Sequence, residues 1–242
     1  MGLRRRGRAR AGTATASEIE ELHAELARLQ AQLAARDREA EQREQQLRAS
    51  YESTVRALAD AVEARDAYTA RHAERVAAYG VEIARACGLD TSADPDLEFG
   101  FLLHDIGKIA ISDAILHKPG SLTEEEREAM RRHPLIGEEI VRGIDFLAGA
   151  RQVVRSHHER WDGAGYPDRL AGEQIPLSAR VFAVADTFDA VTSDRPYRAA
   201  ASFREARRVI AEAAGTQFDP TVAEAFDDIP DARFDEIRAA LT

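Results

Sequence analysis

The chain reads as all-α, and three observations carry that reading. Apolar residues recur at three- and four-residue steps through most of its 242 residues. Strand-like alternation of apolar and polar residues is nearly absent. The periodic stretches are separated by "KPG", "GAGYP" and "SDRPY", glycine and proline clusters that end helices. The expected architecture is a bundle of roughly six to eight helices preceded by a long N-terminal helix with coiled-coil character.

Residues 1–16 form a basic tail, expected to be flexible. Its start is basic with no apolar segment behind it, unlike a secretory signal. Residues 17–53 form a helical segment in which Ile19, Leu22, Leu26, Leu29 and Leu33 follow a heptad seam. The same register then passes through Arg36, Ala40, Arg43, Leu47 and Ser50, so the apolar part covers little more than two heptads. A homodimer through this helix is the preferred reading, with a single solvated helix as the alternative.

The main domain is assigned to residues 54–242. Its helical pattern continues through Val55, Leu58 and Val62, then Val76, Tyr79 and Ile83, until "CGLD" supplies a glycine stop. Further helices are expected at 95–106, 123–143, 146–160, 177–193, 202–214 and 219–227. The single cysteine, Cys87, is read as a small buried thiol, and no disulfide can form within one chain.

The formal charge is −10, unevenly spread: residues 1–50 hold 10 Lys+Arg against 8 Asp+Glu, which leaves −12 for the rest. An acidic main domain argues against duplex nucleic acid as a partner, while local cations can still hold a small phosphorylated ligand. No run approaches the roughly eighteen apolar residues of a membrane span, and the chain is expected in the cytoplasm.

Histidines and aspartates carry the chemistry. His72 shares the stripe of Val76, Tyr79 and Ile83. His104 and Asp105 follow an apolar run in "LLHDIGK", where a carboxylate beside buried leucines needs a cation or several donors. His133 is followed by Pro134, which demands a distortion or a helix restart. His157 and His158 end a helix, and Asp186 stands among Val181, Phe182, Val184 and Phe188. Each alone has an ordinary reading as a core histidine or capping aspartate, but so many separate instances point to one site. Imidazole and carboxylate donors suit iron, manganese or zinc. Two ions about 3.5–4 Å apart, bridged by a carboxylate, would activate water against a phosphoryl group.

The motifs "LLHDIGK", "ILHKPGSLTEEEREAMRRHPLIGEEI", "SHHERWDGAGYP" and "VADTFDAVTSDRPYR" resemble those of the HD-GYP branch of the HD-domain phosphohydrolases, over about Asp66 to Asp227. The resemblance implies an all-helical HD domain, two divalent ions (iron or manganese), and hydrolysis of cyclic di-GMP to linear pGpG, with further cleavage to GMP left open. It implies His72, His104, Asp105, His133, His157, His158 and Asp186 as metal ligands, with Asp105 bridging. Lys108, Arg195 and Arg198 match substrate-phosphate contacts, and Lys108 and Asp105 join Asp66, an acidic position suited to proton transfer, as the catalytic set. Asp189 is expected to contact the substrate from the helical face of Asp186. Family members with three metals carry glutamate where this chain has Tyr68, whose phenol stays protonated at neutral pH, so two metals are expected.

Two other readings stand beside this one. A weakly active signalling module would use "GAGYP" as a surface for partners carrying a GGDEF domain, a contact associated with the family. Alternatively, the enzyme would act on cyclic GMP-AMP or another nucleotide, since no residue in the sequence derives guanine selectivity. Trp161 is read as a packing anchor, and His23 and His117 are left without roles.

Overall fold

The computed structural model describes residues 15–65, 71–91, 95–194 and 199–241. The tail expected over 1–16 therefore lies outside the described residues except for its last two. The chain divides into two compact units between Tyr51 and Glu52. One helix, α1 (Ala16–Glu63), runs through that point. It opens on a reciprocal cap, in which Thr15 N donates to the Glu18 carboxylate at 2.6 Å and Glu18 N to the Thr15 hydroxyl at 3.3 Å. The heptad residues Ile19, Leu22, Leu26, Leu29 and Leu33 are all exposed.

The unit from Glu52 onward is a helical bundle, and no strand occurs among the described residues. Val55, Ala59 and Val62, on the last turns of α1, are buried in it. The helix α2 (His72–Ala86) turns its stripe of His72, Val76, Tyr79 and Ile83 inward, as their spacing predicts. It ends in a Schellman motif: Gly88 takes φ +82°, Gly88 N bonds Arg85 O at 2.9 Å, and Leu89 N bonds Ala84 O at 3.0 Å. Cys87 caps this end and is only half-buried, short of the full burial expected.

Two long predicted helices are interrupted, and both interruptions serve the site. The first ends early, giving α3 (Pro95–Leu102) and then a 3-10 turn over Ile106–Ala110. Gly107 explains the change, because a Cβ there would stand 1.9 Å from the carbonyl oxygen of His133. After the short α4 (Asp113–Leu116), the second splits into α5 (Glu124–Met130) and α6 (His133–Arg142). Pro134 sits in the first turn of α6, where its missing N–H costs nothing, so the chain restarts at His133. Thr123 opens α5 with a capping box to Glu126.

α7 (Ala150–Ser156) is followed by the glycine-rich loop. α8 (Leu177–Thr192) is buried on nearly every face, as a central helix must be. α9 (Phe203–Glu212), α10 (Pro220–Asp227) and α11 (Asp231–Ala240) close the bundle. Tyr79, Phe188, Phe226 and Phe234 form its aromatic core, with ring centroids 4.6–5.6 Å apart. No helix among the described residues is long and apolar enough to cross a membrane.

Candidate metal centre

Seven histidines and aspartates from five elements are carried by α2, the turn after α3, α6, the end of α7, and α8. His104, His133 and His157 are each buried, and each Nδ1 lies 2.8–3.0 Å from a main-chain carbonyl three residues earlier: Phe101, Met130 and Val154 respectively. A carbonyl oxygen only accepts, so Nδ1 carries the proton and donates it. The Nε2 atom of each ring is thereby turned into the site.

Those atoms converge on other acceptors. His133 Nε2 faces His157 Nε2 at 3.1 Å, and both face Asp105 Oδ1, at 3.2 and 3.8 Å. Asp105, His133, His157 and His158 each offer a ligand atom, all within 4.8 Å of one another. Acceptors gathered this closely repel unless a cation or proton stands among them, so the donor set fits a divalent ion. Burial, then the neighbouring imidazoles, pushes His157 far below its ordinary pKa; His158 is lowered to about 3 by burial and His133. Both rings are therefore neutral at pH 7, as metal ligation requires.

The other oxygen of Asp105 faces the opposite way, with His104 Nε2 at 3.1 Å and Lys108 Nζ at 2.8 Å. Burial opposes ionisation of Asp105, but the charges of His104 and Lys108 prevail and hold its carboxyl well below the ordinary range. Burial likewise lowers the His104 pKa, and the Asp105 charge more than reverses it. The His72 and His104 rings meet edge to face at 5.8 Å, and His72 Nε2 lies 3.4 Å from Asp186 Oδ1. Asp105 thus stands between two groups of imidazoles, His133 and His157 on one oxygen and His104 on the other.

Asp189, expected to touch substrate, lies behind His72 instead. Its side chain is 1% exposed, and its Oδ2 accepts from His72 Nδ1 at 2.8 Å. Arg75 donates to it from Nε at 2.6 Å and Nη2 at 3.0 Å, and Ser193 adds a third contact at 3.2 Å. Burial works to raise its pKa, but His72 and Arg75 win and lower it. A carboxylate so enclosed orients His72 and has no face left for a ligand from solvent.

Of the remaining expected positions, Asp66, Tyr68, Arg195 and Arg198 lie outside the described residues. Lys108 is buried in the 3-10 turn beside Asp105. That turn is clamped by Arg65, which donates to the carbonyls of Lys108, Ile109 and Ile111. His117, left without a role from sequence, meets the Arg65 carbonyl at 2.5 Å and so belongs to the same clamp. His23 is exposed on α1.

The glycine-rich loop folds back over the paired histidines. Tyr166 stacks on His158 with centroids 4.6 Å apart and planes 24° from parallel. Gly165 permits this return, since a Cβ there would stand 2.4 Å from Arg160 N. Two acids that sequence reasoning missed secure the loop. Glu159 is buried and accepts from the N–H groups of Asp168 at 2.7 Å and Leu170 at 3.1 Å. Glu138, buried on α6, accepts from Arg142, Arg151 and Arg155, and Arg155 continues to Asp168. Glu138 had no signal beyond being an acid on a partly apolar helix, and Glu159, between His158 and Arg160 in a polar loop, had none. Trp161 is half-buried beneath the Arg180 guanidinium, 5.8 Å from its ring centroid, and does not line the cleft beside the histidines.

The HD-domain profile matches residues 56–222. The chain is 42% identical over 199 residues to the cyclic di-GMP phosphodiesterase response regulator RpfG of Xanthomonas campestris, covering 81% of this chain and 51% of the relative. It is 39% identical over 197 residues to 3'3'-cGAMP-specific phosphodiesterase 2 of Vibrio cholerae, covering 81% of this chain and 38% of that one. The chain therefore spans about half or less of the curated relatives it matches. Among solved structures, it resembles a cyclic GMP-AMP specific phosphodiesterase of V. cholerae, V-cGAP3, at TM-score 0.54 and 22% identity, over 76% of this chain and 51% of that one, a likeness of fold.

Proposed function

Because the chain belongs to the HD-domain family, in its HD-GYP branch, we propose that it is a metal-dependent phosphodiesterase that opens cyclic di-GMP to linear pGpG. The observation that carries this reading is the convergence of imidazole nitrogens on both oxygens of one half-buried aspartate, Asp105. Two divalent ions, iron or manganese, would be held there. His72, His104, Asp105, His133, His157, His158 and Asp186 would hold them, with the Asp105 carboxylate shared.

When bound, such ions activate water and neutralise charge on a phosphoryl group. The protein's own groups do the rest. Lys108, buried beside Asp105, places a cation where phosphoryl oxygens collect charge. Asp189 and Arg75 hold the His72 ring in one orientation. Asp66 for proton transfer, and Arg195 and Arg198 for phosphate contact, rest on the family motif. Tyr68, in place of a carboxylate, supports two ions rather than three and a reaction that stops at the linear dinucleotide.

Names among the relatives favour a second substrate, 3'3'-cyclic GMP-AMP. We further assign the "GAGYP" loop as a surface for GGDEF-domain partners, the heptad helix as a homodimer contact, and the cytoplasm as the place of reaction. Anaerobic purification, metal quantification and product analysis with both cyclic dinucleotides test the reading. Two ions per chain and a pGpG product are expected. His104→Ala or Asp105→Ala should lose metal and lower turnover at least about a thousandfold, or roughly 4 kcal/mol of barrier. Full metal content and turnover in both variants would refute the centre.

A further inference from the structure

The cleft beside the histidines is larger than one phosphodiester needs. It encloses about 300 Å³ and runs from His157, His158 and Asp186 to a wall that includes Arg160 and Gln217. That wall is built from two stretches stitched together through their backbones. Trp161 N donates to Gln217 O at 3.2 Å, and Asp162 N to Thr216 O at 2.8 Å. The position of Gln217 is thereby fixed relative to the loop that leaves His158.

Arg160 fixes its orientation. The Nε and Nη2 atoms of Arg160 are taken by Asp162, at 3.1 and 2.7 Å. Its Nη1 reaches Gln217 Oε1 at 3.4 Å. A guanidinium has no acceptor, so the carboxamide oxygen, and not its nitrogen, must face it. The Gln217 amide N–H groups point elsewhere, and Gln217 is half-buried at the cleft wall.

We propose that Gln217 reads a base in a subsite for the nucleoside remote from the scissile bond, and that it selects guanine. Guanine presents two acceptors on its major-groove edge, N7 and O6, whereas adenine presents the N7 acceptor and the N6 amino donor. A carboxamide with both ends available suits adenine, donating to N7 and accepting from N6. With its oxygen turned to Arg160, Gln217 meets a base with its amide donors first, which suits guanine. The inference rests on the cyclic-dinucleotide reading above and adds a base preference to it.

The test measures equilibrium binding of cyclic di-GMP and cyclic di-AMP to the full chain, its Gln217→Ala and Gln217→Glu variants, together with kcat and KM. Gln217→Ala should weaken cyclic di-GMP binding roughly tenfold and change cyclic di-AMP binding less than about twofold. Its kcat should stay within about twofold, since the residue contacts no expected metal ligand. Gln217→Glu, nearly isosteric but with acceptors only, should abolish the guanine preference; if the alanine variant does not fold, this one decides. Wild-type affinity ratios in the variants would overturn the subsite. A wild-type chain that hydrolyses neither dinucleotide, yet prefers cyclic di-GMP through Gln217, would overturn the reaction and leave the subsite standing.

Discussion

Two ways of anchoring an imidazole coexist in the site. His104, His133 and His157 each pass the Nδ1 proton to a main-chain carbonyl of the preceding turn. His72 passes it to a side chain, the buried Asp189 carboxylate, which is in turn held by Arg75. A carbonyl anchor comes with the helix turn and survives any substitution of the residue that supplies it so long as the turn is kept. A carboxylate anchor adds negative charge behind the ring and strengthens it as a ligand, but it depends on two further side chains. The group built on α2 and α8 is therefore the more tunable and the more fragile.

Asp189→Asn exposes that asymmetry with the largest effect. Asparagine keeps an oxygen for His72 Nδ1 but removes the charge, and half-buried Arg75 loses the carboxylate that it contacts at 2.6 Å. Metal affinity at the His72 group should fall by about 10- to 100-fold, as for other supporting partners of metal-bound histidines. Turnover should fall with the occupancy, while the second ion stays bound. Titrating metal back into metal-free protein resolves the two. If both ions bind as in the wild type, the carboxylate anchor has no advantage over a carbonyl.

Much of this was legible beforehand, and the limits have physical causes. The residues expected as ligands stood out because histidine and aspartate interrupt apolar stripes, and the fold brings Asp105, His133, His157 and His158 together, while His72 shares its face with Val76, Tyr79 and Ile83. The helices expected at 177–193, 202–214 and 219–227 came out within a residue or two of their observed ends. The restart at His133 was signalled by Pro134, while the early end of the helix after Leu102 was not, because it depends on Gly107 lying against the backbone at His133. The carbonyl anchors were invisible, since every residue carries a carbonyl. Asp189 was recognised as part of the site but placed on the wrong side of it, because which face of α8 meets His72 is a tertiary fact.

The α6 and α7 side has a buttress of its own, and it offers a smaller effect with a defined pH dependence. Glu138 on α6 receives Arg151 and Arg155 from α7, at 2.8 and 2.6 Å, and Arg142 from its own helix. Its pKa is lowered to about 2, first by the Arg151 hydrogen bond, against the opposing effect of burial. A carboxyl depressed on folding stabilises the protein above its unfolded pKa, and the contribution fades as the pH falls towards the folded value. Glu138→Gln should therefore cost stability at pH 7, by about 1–2 kcal/mol once solvent at the half-exposed guanidinium groups is allowed for. The deficit should shrink as the pH drops below about 4.5. Urea unfolding of both proteins between pH 7 and 3 measures this. A deficit independent of pH would mean that packing, not the ion pairs, joins the two helices. Metal affinity should hardly change, in contrast with Asp189→Asn, because no histidine hydrogen-bonds to Glu138.

The smallest effect belongs to the carbonyl anchors themselves, and it is the sharpest test of the distinction. Met130 supplies the oxygen that orients His133, yet its side chain takes no part in that bond. It closes α5, where alanine is the better helix former, and it is only half-buried. Met130→Ala should leave metal content intact and turnover within about twofold, with a stability loss of at most about 1 kcal/mol from the truncated side chain. Met130→Pro would not serve as a comparison, since it alters the turn as well. If Met130→Ala lowered metal affinity as far as Asp189→Asn, the orientation of His133 would depend on side-chain packing around the turn, and the backbone would not be the anchor that its 2.8 Å contact implies.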